Sequence, residues 1–108
     1  MKRFTVVLLC ALWAPLVALS QGTSLDSRQL EGMRHFNQSC RVCHTKPQMT
    51  SPQYAPVLSR ASLGGQEAAL RVFIANGTPK MPGFKYHFKP EEIDAIVSYL
   101  GTVAPQAD

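Results

Sequence analysis

The chain has 108 residues, enough for one domain, and no internal repeat or low-complexity linker divides it. Its 11 Lys and Arg against 7 Asp and Glu give a formal charge of +4. These cations are not gathered into the clustered basic face that a nucleic-acid footprint requires, and nucleic acid is excluded as a partner.

Residues 1–20 read as a secretory signal peptide. Lys2 and Arg3 make a positive start, Phe4 to Leu19 is almost wholly apolar, and Ala18-Leu19-Ser20 is a small-x-small cleavage site. The apolar stretch contains Pro15 and falls short of the about 20 residues that span a bilayer, so a retained anchor is the weaker reading. Cys10 lies inside this stretch, away from a lipoprotein cleavage position. Cleavage before Gln21 leaves residues 21–108 as the domain, with a net charge of about +2 and only Cys40 and Cys43 as thiols. A domain this small buries roughly 60–65% of its unfolded surface and needs a staple.

The first helix is expected from Asp26 to about Ser39. Asp26 at the N-cap and Gln29 at N3 resemble a capping box, flanked by Leu25 and Leu30 as a hydrophobic staple. Leu30, Met33 and Phe36 supply its apolar face.

Cys40-Arg41-Val42-Cys43-His44 follows at once and carries the chemistry. Two thiols three positions apart, with an imidazole on the next residue, are the sequence form of covalently attached haem c. On one helical turn, residues three and four apart share a face. Cys40 and Cys43 then reach two vinyl groups along one porphyrin edge, and His44 turns its ring to the iron as the proximal ligand. A disulfide closing so short a loop would stabilise little and would leave His44 without a role. A zinc site normally takes four ligands, and a thioredoxin-like motif needs a strand–helix–strand context; neither is met.

Thr45 to Leu63 reads as mostly loop, because Pro47, Pro52 and Pro56 forbid a long helix. A loop of that length is expected to wrap the haem. The next helix is expected from Gln66 to Ala75, with Leu70, Phe73 and Ile74 on one face and Gly77 as the stop. Asn76 to Gly83 is an irregular loop in which Met81 lies between Pro79 and Pro82. Phe84, Tyr86 and Phe88 are expected to wall a haem crevice. The last helix starts at Pro90, with Glu91 and Glu92 at its positive end, and carries Ile93, Ile96, Val97 and Leu100 at i, i+3, i+4, i+7. Gly101 ends it, and a frayed tail is expected from Thr102.

The fold class is therefore all-α, with three to four helices around one haem. The pattern resembles class I cytochrome c, the small bacterial monohaem members in particular, over nearly the whole mature chain. Gly32 and Phe36 match the Gly and aromatic that let the family's first helix cross closely over its last, and Tyr99 resembles the aromatic that packs there. Pro56 stands twelve residues after His44, where the family's Pro carbonyl accepts the N–H of the proximal imidazole. The loop around Met81 resembles the one that supplies the distal thioether, which makes Met81 the implied sixth ligand. Met33 reads better as core, and Met49 is too near His44 in sequence to reach the opposite face. His35 and His87 are weaker alternatives for the sixth position. A Trp that bonds a haem propionate in many relatives has no counterpart, since the only Trp is Trp13. Tyr54, Arg60 and Tyr86 are candidates for that contact.

The resemblance implies a periplasmic electron-transfer protein and not an enzyme. Its implied partners are redox proteins: a periplasmic dehydrogenase as donor and an oxidase or reductase as acceptor. Two alternatives stand beside it. One is a haem enzyme or gas sensor with a displaceable sixth ligand. The other is a cytochrome subunit held tightly in a dehydrogenase complex.

Overall fold

A computed structural model describes residues 24–46 and 52–106. Residues 1–20, expected to be a signal peptide, and Pro47 and Met49 lie outside the described residues. Among the described residues five α-helices follow one another: α1 Ser27–Ser39, α2 Arg41–His44, α3 Arg60–Leu63, α4 Glu67–Asn76 and α5 Pro90–Leu100. Among the described residues there is no strand, only an isolated bridge between Thr78 and Met81. The fold is all-α.

Helix α1 begins where its cap dictates. The Gln29 N–H donates to Asp26 Oδ1 at 2.8 Å, and the Asp26 N–H donates to Gln29 Oε1 at 3.0 Å, so two orphan donors are satisfied reciprocally. Helix α5 begins on Lys89, whose N–H donates to Glu92 Oε2 at 2.7 Å, with Pro90 in the first turn.

The packing of α1 on α5 organises the rest. A Cβ built on Gly32 would stand 1.9 Å from the Ala95 carbonyl oxygen, so only glycine lets the two backbones approach this closely. Phe36 and Tyr99 face each other across the crossing with ring centroids 5.7 Å apart. Phe36, Ile93, Ile96, Val97 and Leu100 form the core with Leu63, Ile74, Phe88 and Cys40. Asp94 on α5 accepts from Arg71 Nε of α4 and pairs with Arg28 of α1 at 3.6 Å, linking three helices.

Two expectations are corrected, for Phe73 and for the start of the tail. Phe73 is 53% exposed, whereas Ile74 is buried and Leu70 half-buried. Phe73 stands about 100° round the helix from Ile74, outside the stripe that α5 covers. Tyr86 is 93% exposed, with Lys85 Nζ 5.3 Å from its ring centroid. Phe88 is buried and Phe84 half-buried, stacked at 5.7 Å. Finally, the start of the tail is docked: the Arg60 N–H donates to the Val103 carbonyl at 2.9 Å, and Val103 packs against the core.

Candidate functional site

Cys40 closes α1 and opens α2. Its N–H donates to the Phe36 carbonyl at 2.9 Å, and its own carbonyl accepts from Cys43 at 3.1 Å and from His44 at 3.0 Å. One short turn thus gathers Cys40, Cys43 and His44. Neither thiol is in a disulfide. Cys40 is buried, and burial, helped by the neighbouring Cys43, pushes its thiol up to about 11. It therefore stays a neutral, apolar member of the core. A thioether is equally neutral and apolar, so converting this sulfur to one leaves no buried charge behind.

His44 is half-buried, and its ring is oriented from the far side of the following loop. Nδ1 lies 2.8 Å from the Pro56 carbonyl oxygen. A carbonyl only accepts, so Nδ1 carries the proton and Nε2 presents a bare lone pair, the form that binds a metal. The Leu58 N–H donates to the His44 carbonyl at 3.3 Å and holds the Pro56–Leu58 segment alongside. The rigid φ of Pro56 limits where its carbonyl can point.

Met81 sits at the end of a tight turn. The Thr78 N–H donates to the Met81 carbonyl at 2.8 Å, and the Met81 N–H returns to the Thr78 carbonyl at 3.2 Å, with Pro79 and Lys80 between them. The neck of this loop is closed backbone to backbone. Gly77 has φ +75°, and a Cβ there would meet the Met81 oxygen at 2.5 Å; a Cβ on Gly83 would meet the Asn76 backbone at 2.7 Å. Below the neck, the Phe84 N–H donates to the Ile74 carbonyl at 2.9 Å and the Lys85 N–H to that of Ala75 at 3.0 Å. The half-buried Met81 side chain packs against the core to which Cys40 belongs.

The remaining histidines are engaged with other groups. His35 packs edge-on to Phe88 at 4.9 Å and faces Glu31 and Glu92. His87 is exposed and lies against Phe88 at 4.5 Å and Phe84 at 6.3 Å. Of the candidate propionate partners, Tyr54 is 74% exposed, and its hydroxyl lies 3.5 Å from the Lys80 carbonyl, beside the Met81 loop. The Arg60 and Tyr86 side chains are exposed. Gly83 also closes the loop, a role that is not evident from the sequence. Its position in Pro82-Gly83 was a signal of irregular backbone, but the approach to Asn76 is a tertiary fact.

The donor set fits a covalent haem: a neutral buried thiol three residues from a second one, an imidazole with Nε2 bared, and a thioether in a braced loop. Val42, between the two cysteines, is 87% exposed, so the motif's turn lies at the surface rather than deep in the core.

A family model described as cytochrome c oxidase, cbb3-type, subunit III, matches residues 27–100. No curated protein and no solved structure gives a significant match. The chain belongs to this family of c-type cytochrome domains; it is a haem-binding electron-transfer protein whose cofactor is covalent haem c.

Proposed function

We propose that this c-type cytochrome carries one haem, linked through Cys40 and Cys43 and ligated by His44 and Met81, and shuttles single electrons in the periplasm between a dehydrogenase and an oxidase or reductase. The observation that carries this reading is the His44–Pro56 hydrogen bond, which commits the ring to presenting Nε2. The haem supplies one-electron ferrous–ferric chemistry. The protein's part is positional and electrostatic. Pro56 raises the basicity of the His44 ligand. Gly77 and Gly83 close the loop that offers Met81, and the flanking prolines lower the entropy of holding it there. With haem bound, His44 and Met81 would both hold the iron and would leave no open position for substrate, and a thioether would favour the ferrous state relative to a second imidazole. Pro56 thus acts through His44, as a positioning residue.

Export agrees with the reading of residues 1–20 as a cleaved signal, and among the described residues no helix is long and apolar enough to cross a membrane. The test is Met81→Ala in the haem-loaded protein. It is expected to turn a low-spin, six-coordinate centre high-spin and open it to carbon monoxide. An unchanged spectrum and unchanged ligand binding would assign the sixth position to another residue.

A second reading has a specific observation behind it. The matching family is described as an oxidase subunit, so the domain could stand in a larger complex rather than diffuse. Purification under mild conditions separates the two: a free carrier elutes alone, a subunit with its oxidase.

A further inference from the structure

We infer that Glu31, His35 and Glu92 form a second metal site, for a divalent zinc-like cation, on the outer side of the α1–α5 crossing. Glu31 and His35 are four residues apart on α1 and share one face. Glu92 comes from the first turn of α5. His35 Nε2 lies 3.8 Å from Glu31 Oε1 and 3.6 Å from Glu92 Oε1, and the three ligand atoms all fall within 4.8 Å of one another.

These distances are too long for hydrogen bonds and close to what a shared ion requires. Two ligands held at about 2.0–2.1 Å from a tetrahedral zinc stand about 3.3–3.4 Å apart, so a small inward movement closes the site. An independent observation points the same way. Both ring nitrogens of His35 are shut off from solvent and have no hydrogen-bond partner. A buried polar atom without a partner is costly. A cation taken by Nε2, between two carboxylates, removes that cost for one nitrogen and neutralises charge as well.

The groups are held in place. The His35 ring is fixed edge-on against Phe88 at 4.9 Å. Glu92 uses Oε2 to accept from the Lys89 N–H at 2.7 Å, which steadies the carboxylate and leaves Oε1 for the ion. Glu31 is half-exposed, so the site is open to solvent on the Glu31 side, from which a water would complete the fourth position. Two carboxylates and one imidazole suit zinc better than a soft ion, which would seek thiolate. The site is separate from the haem. His35 and Cys40 are five residues apart, about 140° round the helix. The ion would clamp α1 to α5 where only Gly32 permits their approach.

The test is calorimetric titration of zinc chloride into the haem-loaded protein, in which Cys40, Cys43 and His44 are already occupied. One zinc per chain is expected to bind. Loss of even an indirect partner of a metal commonly costs roughly 10–100-fold in affinity, so Glu31→Gln, Glu92→Gln and His35→Gln are each expected to weaken binding at least about 10-fold. Glu92→Gln keeps an acceptor for Lys89, and Glu31 is exposed, so both variants are expected to fold. His87→Asn should leave binding unchanged. Zinc should also raise the melting temperature of the wild type and not that of Glu31→Gln. Absence of binding, binding that survives both glutamate substitutions, or binding lost with His87→Asn would overturn the site.

Discussion

His44 Nδ1 and the Pro56 carbonyl oxygen stand 2.8 Å apart, from residues twelve positions apart in the chain. With His44 as the proposed iron ligand, the bond would have a redox consequence. An imidazole that donates strongly from Nδ1 is a more basic ligand at Nε2 and favours the ferric state. Pro56→Gly keeps the carbonyl but frees its φ. The bond should weaken and the reduction potential should rise. Spectroelectrochemical titration of the variant against the wild type checks the sign; an unchanged or lowered potential contradicts this role for Pro56.

Gly32 and Ala95 set a second expectation. A Cβ on Gly32 falls 1.9 Å from the Ala95 carbonyl oxygen, and both partners are backbone that cannot swing away. Alanine is intrinsically the better helix former, by about 1 kcal/mol. The clash outweighs this: Gly32→Ala should cost at least roughly 1–3 kcal/mol. Chemical denaturation of the haem-loaded protein measures it, and a neutral or stabilising result would place the helices farther apart than described.

Gly77 and Gly65 make a matched pair. Both have positive φ, +75° and +76°, but a Cβ on Gly65 meets nothing within 4 Å, while one on Gly77 meets the Met81 oxygen at 2.5 Å. Gly65→Ala should cost only the backbone strain, about 1–2 kcal/mol. Gly77→Ala should in addition displace the Met81 loop and weaken the long-wavelength band of sulfur ligation in the ferric spectrum. Equal effects of the two substitutions on that band would separate the loop from the ligand.

The Arg71–Asp94–Arg28 network should matter little. Its side chains are 41%, 36% and 55% exposed, where ion pairs contribute about 0–1 kcal/mol and are screened by salt. Asp94→Asn should therefore lower stability by less than about 1 kcal/mol, with the difference shrinking at high ionic strength.

Much of this architecture was legible in the residues. Asp26 and Gln29 announced α1, and Pro90 with Ile93, Ile96, Val97 and Leu100 announced α5, because caps and helical periodicity are local. The match of Gly32 and Phe36 to a known helix crossing carried the α1–α5 packing, which local pattern alone would not. The four-residue helices α2 and α3 were too short for periodicity to reveal, although Ser59, Ser62 and Gly64 carried local turn chemistry around α3. Ser62 Oγ accepts from the Ser59 N–H at 3.1 Å. Phe73 was misplaced because apolar character says that a side chain favours burial, not which element comes to cover it. Cys40, Cys43 and His44 stand out by spacing alone, and the structure gathers them on one short turn. The closure of the Met81 loop by Gly83 could not be read that way, since it depends on where Asn76 lies after folding.

The central claim is a single haem welded through two thioethers and gripped by an imidazole and a thioether. Optical spectra of the exported wild-type protein, oxidised and reduced, with carbon monoxide added to the reduced form, test it most directly. The account predicts low-spin, six-coordinate centres in both states and little reaction with carbon monoxide. A high-spin ferric spectrum, or rapid carbon monoxide binding, would contradict it.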